Sequence, residues 1–233
     1  MRVLVIDVGG SHVKMLATGV DEPRRFKSGD DLAPDRFVKE VHRLTATWEY
    51  DGVSIGYPGS VDADGPSAEP GNLGCGWVGF DYERAFGKPV RIVNDAAMQA
   101  LGAYDGGRML FLGLGTGLGS SLVTERVIVP LELGCLPWGN GHTLFDLLGR
   151  DGLERTGFDA WMRTLTKVIA ALRESFMADY VVLGGGNAER VDPLPPGTRR
   201  GGNEDAFAGG FRLWEDVVEP HDRPPKAVWR VVR

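Results

Sequence analysis

The order of apolar segments predicts an α/β protein made of two similar units. Each unit opens with a strand, a glycine-rich turn and a second strand, at residues 3–18 and again at residues 109–124. Further strands alternate with helical patterns after each opening, as they do in α/β folds. A chain of 233 residues is long enough for two modest domains with separate apolar cores. We therefore expect two α/β domains with a cleft between them.

In the first unit, strands are predicted at residues 3–8, 13–18 and 53–57, because these runs are β-branched or aliphatic. Residues 34–48 carry apolar side chains at helical spacing after a proline, which predicts a helix. Residues 60–80 are rich in Gly, Pro and Asp. A loop of this length in a compact domain commonly has a binding function.

The first unit closes with a predicted strand at residues 89–93 and an alanine-rich helix at residues 95–104. The sequence Asp105-Gly106-Gly107 then interrupts the pattern. We therefore assign residues 1–106 to an amino-terminal domain.

The second unit is predicted to form the carboxy-terminal domain, over residues 107–203. Its clearest helix is residues 159–177, where the apolar side chains recur on one face. Its strands are predicted at residues 109–114, 120–124, 127–130 and 180–183.

The end of the chain is richer in turn-forming residues. Three prolines and three glycines over residues 192–203 predict a loop. Residues 204–218 have the pattern of a final helix, whereas residues 219–233, with three prolines, are a tail whose order the sequence does not predict.

The net charge and the cysteine pattern exclude several classes of protein. A formal net charge of −6 gives no global positive field that would attract nucleic acid or an anionic membrane. Cys75 and Cys135 match neither a disulfide framework nor a thiolate zinc site. No signal-peptide pattern is present, and no apolar run approaches the roughly 18 residues of a membrane span. We expect a soluble cytoplasmic protein without nucleic-acid or membrane partners.

The first glycine-rich turn, Asp7-Val8-Gly9-Gly10-Ser11, directly follows a predicted strand. Backbone N–H groups in a turn without Cβ atoms are open to phosphate oxygens, and an adjacent aspartate can hold Mg²⁺ directly or through water. Ser11 and Lys14 add a hydroxyl and a cation, and His12 can also touch a phosphate. The alternative is a hairpin that needs glycine only for its turn.

The second glycine-rich turn has the sequence GLGTGLG over residues 113–119. It matches neither the P-loop nor the GxGxxG fingerprint, which weakens a Rossmann interpretation. A phosphate-binding strand–turn–strand unit remains, with close backbone packing as the alternative. The later sequence Gly184-Gly185-Gly186-Asn187 admits either an adenine or phosphate near its backbone, or a turn that enters a helix.

Two acidic positions are candidates for binding a substrate hydroxyl. Asp95 lies where a strand ends and a helix begins, and there it can accept the proton of a hydroxyl that attacks a phosphoryl group. Helix capping is the alternative role for Asn94-Asp95, and the two roles are compatible. Glu132 lies between two apolar residues, where it either accepts hydrogen bonds from sugar hydroxyls or faces solvent.

Taken together, these segments resemble the ROK family of sugar kinases and repressors, most closely its short polyphosphate glucokinase-like members. The matching segments, in chain order between residues 6 and 186, are IDVGGSHVK, GYPGSVD, NLGCGW, PVRIVNDA, GLGTGLGSSLV, ELG and VLGGG. The resemblance implies an actin-like (ribonuclease H-like) fold with a sugar in the cleft between two α/β domains and closure on binding. It also implies that the last helix packs on the amino-terminal domain, and we expect a homodimer.

The resemblance further implies roles for individual residues. Asp95 would be the general base for the sugar hydroxyl, Asn94 would bind the same sugar, and Glu132 would hold hydroxyls at the other end of the ring. Gly59 and Asn72 are further sugar-binding candidates. Asp7 would serve Mg²⁺. The residues expected to bind the phosphoryl donor are Asp7, Gly9, Gly10, Ser11, Lys14, Gly115, Thr116, Gly117, Gly185 and Gly186.

Two departures from the family pattern bear on function. The family usually has histidine where this chain has Cys135, and a thiol is a poor substitute for an imidazole. The cysteine-rich zinc motif and the amino-terminal helix-turn-helix of longer members are also missing from this sequence. We therefore expect neither zinc nor a DNA-binding repressor.

The sequence favours phosphoryl transfer from ATP or polyphosphate to a hexose hydroxyl, with glucose O6 as the expected acceptor and Mg²⁺ at the donor. A sugar-binding or regulatory protein with weak catalysis is one alternative, motivated by Cys135. An actin-like kinase for a non-sugar hydroxyl is another. The nominated polyphosphate contact is Arg199-Arg200, with solvated loop arginines as the alternative.

Overall fold

The computed structural model describes residues 1–125, 127–139, 141–202, 204–215 and 230–231. The elements of the first half are β1 (Val3–Val8), β2 (His12–Ala17), β3 (Arg24–Lys27), α1 (Pro34–Thr45), β4 (Gly52–Tyr57), β5 (Val61–Asp62), β6 (Gly65–Pro66), α2 (Tyr82–Phe86), β7 (Val90–Asn94) and α3 (Asp95–Ala103). Those of the second half are β8 (Met109–Leu114), β9 (Leu118–Thr124), β10 (Val127–Leu131), α4 (Leu144–Leu148), α5 (Arg150–Thr156), α6 (Phe158–Ser175), β11 (Tyr180–Gly184), β12 (Thr198–Arg200), α7 (Asp205–Arg212) and β13 (Arg230–Val231).

Two mixed sheets repeat one arrangement. The first has the strand order β3-β2-β1-β4-β7, and the second has the order β12-β11-β8-β9-β10-β13. In each sheet the two opening strands are antiparallel, and the first of them is also parallel to a later strand, β4 or β11. The predicted α/β class and the two similar units are therefore confirmed.

Two helices cover the outer faces of the sheets because their apolar side chains lie on one side. In α1, Phe37, Val38 and Val41 are buried against the first sheet, and Pro34 stands at the start of the helix, where its missing N–H costs nothing. In α6, Trp161 is buried and its indole N–H donates to Leu148 O at 3.1 Å. This bond ties the long helix to α4, beside the cleft.

Helices α3 and α7 lie between the two sheets and pack closely on each other. A Cβ atom on Gly102 would collide with Asp205 O, and one on Gly209 would collide with Met98 O. The two glycines therefore permit a backbone approach that any larger residue would prevent.

The last helix also contacts the first sheet. Ser54 on β4 donates its hydroxyl to Gly210 O at 2.7 Å and accepts from the indole of Trp214 at 2.8 Å. Arg212 donates to Leu101 O at 2.8 Å and to Tyr104 O at 2.9 Å, at the end of α3. The helix ends at Arg212, earlier than predicted, and residues 216–229 lie outside the described part of the chain.

Some predictions about elements were wrong. Residues 192–203 were predicted as a loop, yet β12 pairs in parallel with β11 there and forms an edge of the second sheet. This pairing joins segments that are distant in sequence, so the local abundance of proline and glycine gives no sign of it. The short elements β3, α2, α4 and α5 were likewise not predicted. Among the described residues, no helix is both long and apolar enough to cross a membrane.

Candidate functional site

A cavity of about 750 Å³ opens between the carboxyl ends of strands from both sheets. It brings together twelve of the residues proposed from the sequence, namely Gly9, Gly10, Gly59, Asn72, Asn94, Asp95, Gly115, Thr116, Gly117, Glu132, Gly185 and Gly186. Cys135 also lines it. Asp7, Ser11 and Lys14 are not on its wall and lie around the first turn instead.

Asp95 is the first residue of α3, and the helix start is organised so that its carboxylate lies at the cavity. Asn94 provides the cap, because its side-chain oxygen accepts from Ala97 N at 3.1 Å. Its amide nitrogen donates to Gly59 O at 3.1 Å, which links the helix start to the strand end beside it. Asp95 accepts from Ala96 N at 2.8 Å through one oxygen. Capping and presentation of a carboxylate therefore coexist at this junction.

The electrostatic environment of Asp95 favours its protonated form. Burial, followed by the nearby carboxylates of Asp7 and Glu132, raises the pKa of Asp95 to about 7. A carboxyl group with a pKa near neutrality exchanges a proton readily at physiological pH, which is the property that a general base for a sugar hydroxyl requires.

Asp7 lies at the end of β1, where burial raises its pKa and Lys14 partly offsets that rise. Lys14 is directly opposite Asp7 on β2. No group of three or more His, Cys, Asp or Glu side chains within the described ranges is arranged to hold a metal. Mg²⁺ typically binds one or two carboxylates together with substrate phosphates and water, and the carboxylate of Asp7 beside the first glycine-rich turn is of the type that fits this ion.

The first glycine-rich turn is closed by Gly9 N, which donates to His12 O at 3.0 Å. A Cβ on Gly10 would collide with the side chain of Asn72, which shows how closely the loop over residues 60–80 approaches the turn. That loop is held by Trp77, which is buried and donates its indole N–H to Leu32 O at 3.2 Å. Asn72 is therefore positioned by a packed loop and not by a regular element.

The second turn and the triple glycine form one continuous surface. Gly115 N donates to Gly117 O at 3.2 Å, and Asn187 N donates to Leu114 O at 2.9 Å. Gly185 has a φ of +78°, and a Cβ there would lie 2.6 Å from Leu114 O. Its glycine is therefore required by the backbone conformation and by the close approach to the end of β8.

Glu132 follows β10 and faces the cavity from the second sheet. Ser120 fixes this segment, since its hydroxyl donates to Leu131 O at 2.8 Å and accepts from Leu133 N at 3.0 Å. Cys135 is exposed and lies in the single turn of 3₁₀ helix that follows Glu132. A carboxylate and a thiol therefore stand on the same wall of the cavity.

The sequence did not indicate three cavity-lining residues, Gln99, Phe145 and Arg150. Gln99 lies one turn after Asp95 on α3. Phe145 is 48% exposed, and its ring is where a Cβ on Gly117 would be. Arg150 donates its backbone N–H to Thr116 O at 3.2 Å and approaches Thr116 Oγ1 with its guanidinium at 3.4 Å.

A local signal for the helix that carries Phe145 was present. Thr143 and Asp146 form a capping box, in which Thr143 Oγ1 accepts from Asp146 N at 3.2 Å and Asp146 accepts from Thr143 N at 2.8 Å. The pattern Thr-x-x-Asp predicts such a helix start. It does not predict that the helix lines the cavity.

Arg199 and Arg200 have structural roles. Arg199 donates to Ala103 O, and Arg200 donates to Ala188 O at 3.1 Å and to Val191 O at 2.7 Å. Both guanidinium groups are thus bound to backbone carbonyls. These bonds do not support the proposed polyphosphate contact at this pair. They do not support the alternative, that the two are solvated loop arginines, either.

Comparison with known proteins places this geometry in a wider context. No protein-family model matches the chain. The polyphosphate glucokinase of Mycobacterium tuberculosis (strain CDC 1551 / Oshkosh) is 24% identical over 221 residues, which cover 82% of this chain and 80% of the relative.

Solved structures with the same fold include two sugar kinases. The inorganic polyphosphate/ATP-glucomannokinase of Arthrobacter sp. strain KM superposes with a TM-score of 0.75 at 23% identity, covering 90% of this chain and 96% of that one. A ROK family glucokinase of Streptomyces griseus, solved with glucose and AMPPNP, gives a TM-score of 0.66 at 16% identity over 90% and 98% of the two chains. The chain is therefore similar in sequence to polyphosphate glucokinases, at low identity, and shares its α/β fold with these sugar kinases.

Proposed function

We propose that this distant relative of the ROK sugar kinases transfers a phosphoryl group from ATP or polyphosphate to a hexose hydroxyl, with glucose O6 as the acceptor. The observation that carries the proposal is the position of Asp95. Its half-buried carboxylate, with a pKa of about 7, lies in a cavity whose wall also holds both glycine-rich turns. A base for a hydroxyl and two sites for phosphate within one cavity are the parts that phosphoryl transfer to an alcohol requires.

In this proposal the acceptor sugar lies between Asn94 and Glu132, which line the cavity from the first and the second sheet respectively. Asp95 accepts the proton of the attacking hydroxyl at its carboxylate as the bond to phosphorus forms. Asn94 contributes an amide that is already oriented by Gly59 O and Ala97 N, so little side-chain freedom is lost when the sugar binds.

The donor phosphates lie against the two glycine-rich turns, where backbone N–H groups are accessible. Lys14 and Arg150 supply positive charge from the first and the second half of the chain respectively. Mg²⁺, held at Asp7, would neutralise charge on the transferring phosphoryl group. The relatives named polyphosphate glucokinase and polyphosphate/ATP-glucomannokinase support both donor classes.

The proposal is tested with Asp95→Asn. We expect this variant to lose turnover by roughly 10²–10⁴-fold, since that is what a positioned general base contributes and Asn cannot accept the proton. Glucose binding, followed by isothermal titration, should persist. Asp159→Asn is the matched control, because Asp159 is exposed on α6 and does not line the cavity. Near-normal kcat in Asp95→Asn would exclude Asp95 as the base.

A second candidate is a sugar-binding or regulatory protein with weak catalysis, favoured by the exposed thiol of Cys135 beside Glu132. A matrix of donors against sugars and non-sugar alcohols, together with sugar titrations, separates the possibilities. Binding without turnover from every donor supports the regulatory candidate. Turnover restricted to a non-sugar acceptor supports the third possibility, an actin-like kinase for another hydroxyl.

The domain organisation predicted from the sequence belongs to the same proposal. Residues 1–106 with α7 would form one lobe and residues 107–203 the other, closing over the sugar. Small-angle scattering with and without glucose measures such closure. The same experiment, with light scattering, tests the expected homodimer.

A further inference from the structure

The β2–β3 hairpin carries four basic side chains on one face. In the antiparallel register, His12 is opposite Lys27 and Lys14 is opposite Arg25. Directly opposed residues share a face of the sheet, and so do residues two apart along a strand. His12, Lys14, Arg25 and Lys27 therefore form one cluster, which we call the basic face.

Burial shows which side of the sheet this face occupies. Val13, Met15 and Phe26 alternate with the basic residues and pack in the core under α1. The basic face therefore lies on the opposite side, the side on which Leu16 packs with Val3 and Val5. This is the side that faces α3, α7 and the cleft.

The basic face is continuous with the first glycine-rich turn. His12 is the residue whose carbonyl closes the turn, and Ser28 N, just beyond Lys27, donates to Ser11 O at 3.2 Å. Lys14 is opposite Asp7 at the end of β1. A row of basic side chains thus begins where donor phosphates are proposed to bind and continues along the hairpin away from the cavity.

The outer two cations are available for a ligand. Arg25 and Lys27 are exposed, and in the described ranges the side chain of neither makes an ion pair or hydrogen bond with another residue. The neighbouring Arg24, on the other face, donates to Leu44 O and stacks 4.6 Å from the ring centroid of Trp48. The hairpin therefore uses Arg24 on one face for packing and leaves Arg25 and Lys27 on the other face exposed.

We propose that the basic face binds the chain of inorganic polyphosphate beyond the phosphates held at the glycine-rich turns. This inference rests on the proposed function and adds a donor-specific site to it. Opposed side chains are about 5 Å apart and successive ones about 7 Å apart, so the cations form a ladder that a linear polyanion can follow. The chain is acidic overall, with a net charge of −6, so this local field is the feature that attracts such a donor. ATP has only three phosphates and no further anionic chain to extend along the ladder.

The test is the double variant Arg25→Gln/Lys27→Gln, which removes the two charges that the edge strand β3 contributes to the basic face. The control is Arg163→Gln/Lys167→Gln, which makes the same change in charge at exposed positions of α6. We expect KM for long-chain polyphosphate to rise about tenfold in the first variant and to remain at the wild-type value in the control. We also expect a weaker dependence of this KM on salt, because fewer counterions are released on binding.

Two results would overturn the inference. One is an unchanged KM for long-chain polyphosphate in the basic-face variant. The other is an equal rise in KM for ATP, tripolyphosphate and long-chain polyphosphate, because the face would then be a general part of the donor site. Thermal unfolding of both variants verifies that the hairpin remains folded.

Direct binding of labelled long-chain polyphosphate separates this inference from the proposed kinase activity. If the wild-type protein binds polyphosphate and Arg25→Gln/Lys27→Gln binds it more weakly, the basic face is supported as a polyphosphate site even when no sugar is phosphorylated. If wild-type protein phosphorylates glucose with ATP but does not bind polyphosphate, the kinase proposal stands and the basic face is excluded.

Discussion

The two glycine-rich turns share a backbone arrangement but differ in how they obtain their charges. The first turn is flanked by charged residues of its own strands, Asp7 on β1 and Lys14 on β2, which are opposite each other. The second turn has no charged residue between 109 and 124, and its nearest cation, Arg150, comes from α5. One half of the proposed donor site is therefore encoded locally, and the other is assembled by packing.

This difference predicts that kcat falls further when the first turn loses a polar group than when the second turn does. We expect Asp7→Asn to reduce kcat at least about a thousandfold, since it removes the carboxylate proposed for Mg²⁺. Thr116→Val in the second turn should cost only several-fold, because its hydroxyl is one of several neutral donors. Steady-state kinetics at saturating Mg²⁺ checks both. Equal losses would show that the two turns contribute alike.

Burial, followed by the nearby carboxylate of Asp7 at the first turn, raises the pKa of Asp95, and this predicts a pH effect on stability. The raised pKa of Asp95, about 7, means that the folded state holds a proton that the unfolded state releases above about pH 4. The contribution of Asp95 to stability should therefore fall as pH rises from about 4 to about 7. Asp95→Asn removes this cost, and we expect it to be more stable than wild type by a few kcal/mol at pH 7.

Urea unfolding of wild type and Asp95→Asn at pH 4 and pH 7 measures this effect. The difference in unfolding free energy between the two proteins should be small at pH 4 and large at pH 7. Asp159→Asn should show no such change between the two pH values. If the difference in unfolding free energy between wild type and Asp95→Asn is the same at pH 4 and pH 7, Asp95 does not have the raised pKa.

In the second half of the chain, we expect a glycine that is surrounded by backbone atoms to lose more stability on substitution by alanine than a glycine in open space. Gly185→Ala places a Cβ 2.6 Å from Leu114 O at a φ of +78°, and we expect a loss of about 1–3 kcal/mol. Gly186→Ala is the matched control, because a Cβ at that position would have no neighbouring atom within 4 Å. Thermal melts compare the two. Similar stabilities would show that the end of β8 adjusts freely.

A smaller effect than that of Asp7→Asn is expected for the cation that the second turn receives from α5. Arg150→Gln should lower kcat/KM for the phosphoryl donor about tenfold, because one charge at a partly solvated site is lost. KM for the sugar should not change. Arg150→Lys separates charge from geometry, since lysine keeps the charge but not the planar guanidinium. A normal donor KM in Arg150→Gln would mean that backbone N–H groups suffice at the second turn.

Much of the fold was predictable because its signals are local. The buried strands β1, β4, β8 and β11 are continuous apolar runs, and α1 and α6 place their apolar residues at helical spacing. Asn94-Asp95 was recognisable as a strand–helix junction from residue types that favour helix caps. The short elements were missed because each has few residues and gains its stability from neighbours that are distant in sequence.

The sequence by itself determined the α/β class, the two strand–turn–strand units and the positions of Gly9, Gly115 and Asp95, because each depends on neighbours within a few residues. Only the tertiary structure decided that Arg150 reaches the second turn and that Arg199 and Arg200 are bound to carbonyls. It also decided that the cations of β2 and β3 stand on the cleft side of their sheet. These features depend on which elements pack together and on which face each strand buries, and strand periodicity alone leaves that choice open.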